Sequence, residues 1–184
     1  MKKIAAILAM VLLVNGFSAC EKDDICADTT PTTPRLIIEF YLKGSAATLK
    51  PVTNLKVVGD GMENGIVFNP TATGEAQYLT NDSKVAIPLD LSKDTVAYDF
   101  TLNANDTITN RTDRLVFNYT RNQFYVSRAC GYKMLFTLNN LPGLPSAYIL
   151  NNTQPAVAGN WISRVSVQTY NINNEDETHI KIYF

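Results

Sequence analysis

The sequence has little of what most enzymes need for catalysis. Its 184 residues include one histidine, His179, and three cysteines. Neither a G-x-S-x-G nucleophile motif nor a glycine-rich phosphate loop is present. His179 follows polar Thr178 and alternates with Ile180, so it is predicted to be a solvated strand residue rather than a general base. We therefore expect no catalytic residue, no cofactor and no enzymatic activity.

A strong charge of one sign is also missing. The chain has 16 Lys and Arg against 17 Asp and Glu, a formal net charge of −1. If a leader containing Lys2 and Lys3 is cleaved, the formal net charge changes from −1 to −3. This balance leaves no basic patch, so nucleic acid is not an expected partner. One histidine and two spare cysteines do not make a tetrahedral metal site without carboxylates, and no metal is expected.

Long apolar runs are scarce, and the one at the N-terminus is short. Lys2 and Lys3 precede the uncharged, mostly apolar run from Ile4 to Val14. A spanning helix needs about 20 apolar residues, whereas a short positive start and a short apolar core are typical of a signal peptide. Residues 1–19 are therefore predicted to be a cleaved signal peptide.

The residues at the predicted cleavage site resemble a bacterial lipobox. Phe17, Ser18 and Ala19 precede Cys20, with Phe17 in the place usually held by leucine. In that motif the cysteine thiol receives a diacylglyceryl group and becomes the new N-terminus. Two or more acyl chains anchor a protein stably, because each buried CH₂ contributes about 0.8 kcal/mol. The alternative is an ordinary signal peptide followed by an ordinary Cys20.

With Cys20 lipidated, two cysteines remain in an exported chain. The economical assignment is a disulfide between Cys26 and Cys130, since disulfides persist outside the cytosol. Closing a loop of roughly 100 residues contributes up to about 4.7 kcal/mol on the chain-entropy estimate. Two free thiols, or a bond from Cys26 to another molecule, remain the alternatives.

The composition and the hydrophobic pattern of the chain change at Arg35. Residues 20–34 are predicted to form a tether that ends in the Thr- and Pro-rich stretch ADTTPTTP, which is expected to be extended rather than core. From residue 35 onward, short alternating segments are separated by Gly, Asn, Asp and Pro turns. Such a pattern without helices predicts an all-β fold: a single antiparallel β-sandwich of immunoglobulin-like architecture over 35–184. A small closed barrel is the alternative.

Acidic and aromatic residues offer weak binding signals. Glu175 and Glu177 lie in a charged turn, and no group of acids has the spacing of a calcium loop. Trp161, Tyr78 and Tyr148 are the aromatics considered for stacking on sugar rings, although aromatics in strands usually belong to the core.

Several motifs resemble an uncharacterised lipoprotein family of Bacteroidetes, a domain of unknown function. The clearest are TTPRL at 32–36 and SRACGYK at 127–133, and the resemblance runs from about Asp23 to Phe184. It implies an exported lipoprotein and fits the pairing of Cys26 with Cys130. It implies no activity and no site residues.

Two further resemblances concern export and modification. Glu21, Lys22, Asp23 and Asp24 resemble the acidic signal that directs lipoproteins of this phylum to the cell surface. The alternative is a hydrophilic spacer on a protein facing the periplasm. Within Asp-Thr tripeptides, three threonines resemble O-glycosylation acceptors of exported Bacteroidetes proteins: Thr29, Thr95 and Thr107.

These observations favour a non-enzymatic cell-envelope lipoprotein at the outer membrane. Its expected partners are the membrane, through the N-terminal lipid, and an envelope protein or glycan of unknown identity. Two other functions stay open: a glycan-binding accessory module of a surface uptake system, and a hydrolase that uses carboxylates.

Overall fold

The computed structural model describes residues 25–27, 30, 32–45, 47–152 and 159–184. The predicted signal peptide, Cys20, the export signal Glu21–Asp24 and Thr29 lie outside the described residues. The chain divides into two compact units. The first combines the described residues up to Thr30 with Tyr125–Tyr132, and the second combines Pro31–Phe124 with Lys133–Phe184.

The described residues form eleven strands and one short 3₁₀ helix at Gly74–Tyr78. The strands are β1 Leu36–Tyr41, β2 Leu55–Gly59, β3 Leu79–Thr80, β4 Lys84–Ile87, β5 Thr95–Leu102, β6 Arg111–Ser127, β7 Gly131–Leu138, β8 Tyr148–Leu150, β9 Arg164–Val167, β10 Asn171–Ile172 and β11 Ile180–Tyr183.

Two stacked sheets confirm the predicted all-β sandwich. One sheet has the strand order β4-β1-β11-β9, and the other has the order β10-β7-β6-β5-β2-β3 with β8 paired to β6. Strand β1 pairs antiparallel with β4 but parallel with β11, in the register Ile38 to Ile180. The sequence pattern did not reveal this parallel pair, because periodicity reports which face is buried and not which strand lies alongside.

Alternating apolar residues explain the core. Strand β1 buries Leu36, Ile38 and Phe40, and β6 buries Leu115 and Phe117 on one face. A two-residue period turns successive side chains to opposite faces of a sheet, so these residues form one apolar row on each strand. Strand β1 also buries Ile37 and Tyr41 on its other face. Each fully buried side chain of this size contributes about 1.5–3 kcal/mol.

Two segments that alternate in sequence are not strands. Residues 65–69 form no strand, although Ile66 N–H donates to the Val57 carbonyl at 2.8 Å. Residues 106–110 form a turn, because Asp106 Oδ1 accepts the backbone N–H of Ile108 at 2.8 Å and of Thr109 at 3.3 Å. An aspartate that bonds its own following backbone favours a turn over a strand.

The prediction that His179 is solvated is wrong. Its side chain is 0 % exposed, directly before β11. The ring Nδ1 of His179 accepts the backbone N–H of Ile37 at 2.8 Å. The backbone N–H of His179 donates to the Ile37 carbonyl at 3.1 Å. The imidazole therefore extends the hydrogen bonding between the ends of β1 and β11, which requires the ring to point inward.

Candidate functional site

The predicted disulfide between Cys26 and Cys130 is present. The two Cα atoms lie 4.9 Å apart, and the bond spans 104 positions of sequence. Cys130 lies between β6 and β7, where its backbone N–H donates to Ser127 Oγ at 3.1 Å. Thr30 Oγ1 lies 3.6 Å from the Cys130 sulfur. The bond thus joins the segment before the sandwich to a turn between two long strands.

The turn that carries Cys130 also presents aromatic side chains to solvent. We call residues 125–132 the hairpin tip. Tyr125 is 53 % exposed and Tyr132 is 62 % exposed, with their ring centroids 5.2 Å apart in an edge-on arrangement. Arg128 is exposed as well, and Ile25, next to Cys26, is 85 % exposed. An aromatic pair, an aliphatic side chain and a cation are thus grouped around one disulfide.

The length of β6 explains why these side chains are exposed. The strand runs for 17 residues, and its buried positions end at Tyr119. Beyond that point the strand continues with mostly exposed side chains, including Phe124 at 50 %. Gly131 completes the turn with a φ of 68°, a conformation that glycine adopts without a steric penalty.

A buried carboxylate fixes a separate loop in the second unit. Asp113 in β6 is 0 % exposed and accepts four hydrogen bonds. Its donors are Asn151 Nδ2 at 2.7 Å and the backbone N–H groups of Asn160, Trp161 and Ile162 at 2.6, 2.8 and 2.8 Å. A Cβ placed on Gly159 would overlap this carboxylate. Asp113 therefore organises the chain at 159–162.

Asp113 was not predicted as a structural residue from the sequence, although its position in the sequence pattern indicates a buried carboxylate. Asp113 precedes Leu115, Phe117 and Tyr119 at intervals of two. The two-residue period places all four on one face of the strand. A carboxylate on the apolar face of a strand needs donors from elsewhere in the chain, which predicts a buried network.

The aromatics considered for sugar stacking are half-buried. Trp161 Nε1 donates to the Phe100 carbonyl at 3.0 Å, and its ring packs against Phe184 at 5.3 Å between centroids. The Tyr148 hydroxyl donates to the Val165 carbonyl at 3.0 Å. Tyr78 lies beneath Lys56 Nζ, 5.6 Å from the ring centroid. No ring contact joins any two of these three aromatics in the described part of the chain.

The acidic turn holds an ion pair. Glu175 accepts from Arg35 through both carboxylate oxygens, at 2.8 Å from Nε and 2.6 Å from Nη2. The hydrogen bond from Arg35 lowers the pKa of Glu175 below its usual value. Glu177 is exposed. A carboxylate held ionised by a guanidinium is suited to a structural contact and does not donate a proton at neutral pH.

Two other acidic residues, Asp60 and Asp90, line a depression of about 300 Å³. Asp60 and Asp99 both pair with Arg114, the latter at 3.1 Å. The hydrogen bond from Arg114 lowers the pKa of Asp60, and hydrogen bonds from Ser92 lower the pKa of Asp90. Both carboxylates are therefore ionised at neutral pH, whereas a general acid needs a raised pKa.

The remaining predicted residues are scattered. Thr95 begins β5 and Thr107 lies in a turn, and both are exposed. Across the described ranges, no group of three or more His, Cys, Asp or Glu residues is placed to hold a metal ion. Those same residues also contain no helix that is long and apolar enough to span a bilayer.

The chain was compared with curated proteins, solved structures and protein families. No curated protein and no solved structure matches the chain. A family of unknown function, DUF6452, matches residues 54–184, more than two thirds of the chain. The matched region contains Cys130 and Asp113 and begins after β1. The chain therefore belongs to DUF6452, a family of unknown function.

Proposed function

We propose that the protein is a lipid-anchored cell-envelope protein that acts as a non-enzymatic binding or structural module. The disulfide between Cys26 and Cys130 carries this proposal, because it occupies two of the three cysteines. Cys20, which follows the lipobox-like Phe17-Ser18-Ala19, is left as the one cysteine outside the bridge. A stable disulfide also fits a chain exported to an oxidising compartment.

The anchor proposed for Cys20 is a diacylglyceryl thioether. Two acyl chains hold a protein to a membrane stably, whereas a single chain binds only marginally. The lipid is then the first partner, at the outer membrane, and an envelope protein or glycan of unknown identity is the second. Glu21, Lys22, Asp23 and Asp24 favour the cell surface, and the periplasmic face is the alternative. The resemblance to a Bacteroidetes lipoprotein family supports the same proposal.

The glycan-binding and hydrolase alternatives have less support. Trp161, Tyr78 and Tyr148 are half-buried and engaged with other residues, so they offer no shared stacking surface. Asp60, Asp90 and Glu175 have lowered pKa values, which suits neither a general acid nor a raised-pKa base.

Metabolic labelling tests the anchor. Cells expressing the chain are grown with labelled palmitate, and the protein is isolated and checked for label. We expect label in the native chain and none in Cys20→Ala. Cys26→Ser is the matched control, because it removes a cysteine of the bridge and leaves the proposed lipidation site. An unlabelled native chain, or label retained in Cys20→Ala, would overturn the proposal.

Protease treatment of intact cells tests the location. We expect the native protein to be degraded when it is exposed at the surface. Replacing Glu21, Asp23 and Asp24 by Ala should then protect the protein while leaving palmitate labelling unchanged. Protection of the native protein would favour the periplasmic face.

A further inference from the structure

We propose that the hairpin tip contacts the headgroup region of the membrane that holds the lipid anchor. The contact patch consists of Ile25, Tyr125, Arg128 and Tyr132. This inference rests on the proposed lipidation of Cys20 and assigns to the patch a partner that lipidation alone does not require.

The chain length between Cys20 and Cys26 limits how far the tip extends from the membrane. Six residues, fully extended, span at most about 21 Å. The disulfide then places the Cys130 Cα 4.9 Å from the Cys26 Cα. The headgroup regions on the two sides of a bilayer together add about 10–15 Å to its hydrocarbon core of about 30 Å. A lipidated Cys20 lies at that boundary, so the Cys130 Cα stays within about 26 Å of it, a range that includes the headgroup region.

The disulfide is essential to this geometry. Without the disulfide, Cys130 lies 110 positions along the chain from Cys20. The short tether then sets no comparable limit on the distance between the turn and the membrane. With it, the tether leads directly to the one turn in which Tyr125 and Tyr132 face each other. The anchor and the exposed aromatic pair are thereby linked by a few covalent steps.

The side chains of the patch suit a membrane interface. Tyrosine is enriched at the level of the headgroups, because its ring is apolar and its hydroxyl remains hydrated. Arginine keeps its charged group in water while its methylene stem covers apolar surface. Ile25 and both tyrosines are more than half exposed. Their transfer from water is favourable, because it removes apolar surface from contact with water.

The size of the patch favours a membrane over a protein partner. A stable protein interface buries about 800 Å² on each partner and involves some 20–30 residues. Four side chains around one turn are too few for such an interface. A membrane that already holds the lipid requires only a small additional contact, because the anchor keeps the patch nearby.

Fluorescence quenching tests the contact. The acylated chain is reconstituted into phosphatidylethanolamine–phosphatidylglycerol vesicles that contain a lipid with a nitroxide on its headgroup. Tyr132→Trp places an indole in the patch, and Tyr170→Trp places one at an exposed tyrosine outside it. Trp161 contributes the same background to both variants. We expect roughly twofold stronger quenching for Tyr132→Trp, since an aromatic at the interface lies closest to the nitroxide.

A third sample tests the disulfide. Cys26→Ser together with Cys130→Ser in the Tyr132→Trp chain should reduce the quenching to that of Tyr170→Trp. Equal quenching of the two indoles in a chain that carries palmitate label would overturn the inference and leave the proposed function standing. Absence of palmitate label would overturn both. Unchanged quenching after removal of the cysteines would refute the role given to the disulfide.

Discussion

Among the described residues, two polar side chains are completely buried, Asp113 in one sheet and His179 directly before a strand of the other, and their hydrogen bonding differs. Asp113 in the seven-stranded sheet accepts four hydrogen bonds. His179 beside the four-stranded sheet has one ring nitrogen bonded to Ile37, and its Nε2 has no hydrogen-bond partner among the described residues. A buried group with all its partners fixes a unique arrangement, whereas one left partly unpaired lowers stability.

The charge of each group explains the difference. A carboxylate buried without donors costs several kcal/mol, so a folded chain that keeps Asp113 must surround it with N–H groups. An imidazole escapes that cost by remaining neutral. Burial lowers the pKa of His179, and the nearby Glu177 and Glu175 only partly oppose this shift. The first residue thus stabilises the fold through the four hydrogen bonds it accepts, whereas burial favours the neutral form of the second.

The largest expected effect comes from removing the carboxylate. Asp113→Ala leaves the N–H groups of Asn160, Trp161 and Ile162 without an acceptor, and we expect a loss of about 3–5 kcal/mol in the free energy of unfolding. Urea denaturation of the purified mature protein measures it. Asp106→Ala is the matched control, because that partly exposed aspartate also accepts backbone N–H groups. Equal losses for both variants would contradict the role given to Asp113.

A steric clash with the Asp113 carboxylate should lower the free energy of unfolding by somewhat less than its removal does. Gly159→Ala directs a methyl group into Asp113, and overpacking of this kind costs about 1–3 kcal/mol. The double variant with Asp113→Ala should cost less than the sum of the two single variants, since the clash disappears with the carboxylate. Denaturation of all four chains gives the coupling, and strict additivity would exclude contact between these two positions.

Acid should affect the histidine selectively. The folded-state pKa of His179 is lowered, so its neutral form is favoured by folding. The contribution of His179 to stability is then fully present above its unfolded pKa of about 6.5 and is lost as the pH falls below that value. The melting temperature should drop between pH 7.5 and pH 5. Glu175 contributes little in that window, because its lowered pKa lies below the range.

Asparagine at position 179 should remove this dependence. The Oδ1 atom of His179→Asn is placed to accept the Ile37 N–H, and the variant should lose about 1 kcal/mol at pH 7.5 from imperfect packing. Its melting temperature should then fall less on acidification than that of the native chain. The same slope in both chains would mean that another group titrates.

The smallest effect is expected at the surface. Glu175→Gln removes the ion pair with Arg35, and exposed pairs of this kind contribute about 0.2–1 kcal/mol. The loss should shrink further in high salt because screening weakens the native pair. Denaturation at low and high ionic strength measures the difference. A loss as large as that of Asp113→Ala would remove the contrast between buried and exposed carboxylates.

Sequence reasoning recovered the features that depend on local pattern. Alternation of apolar residues predicted the sandwich, and the supply of cysteines predicted the bond from Cys26 to Cys130. Both follow from rules that act within a strand or on residue counts. Exposure of the hairpin tip was not predicted, because Tyr125 and Tyr132 lie in a segment that alternates like any other strand.

Features that depend on a distant partner were not recovered. The burial of His179 requires Ile37, which is 142 positions away. The four donors of Asp113 come from 38 to 49 positions away. A single sequence indicates that a polar residue lies on an apolar face, but its partners follow only from the topology.

The parallel pairing of β1 with β11 joins two strands that are synthesised far apart in time. Strand β1 precedes the other strands of the described sandwich, and Ile180 of β11, the partner of Ile38, follows it by 142 positions. Until then β1 has β4 on one side and an unpaired edge on the other. Such non-local pairing slows folding and leaves an exposed strand edge during synthesis. The segment shared with the family, 54–184, lacks β1, the strand that lies between β4 and β11 in the four-stranded sheet.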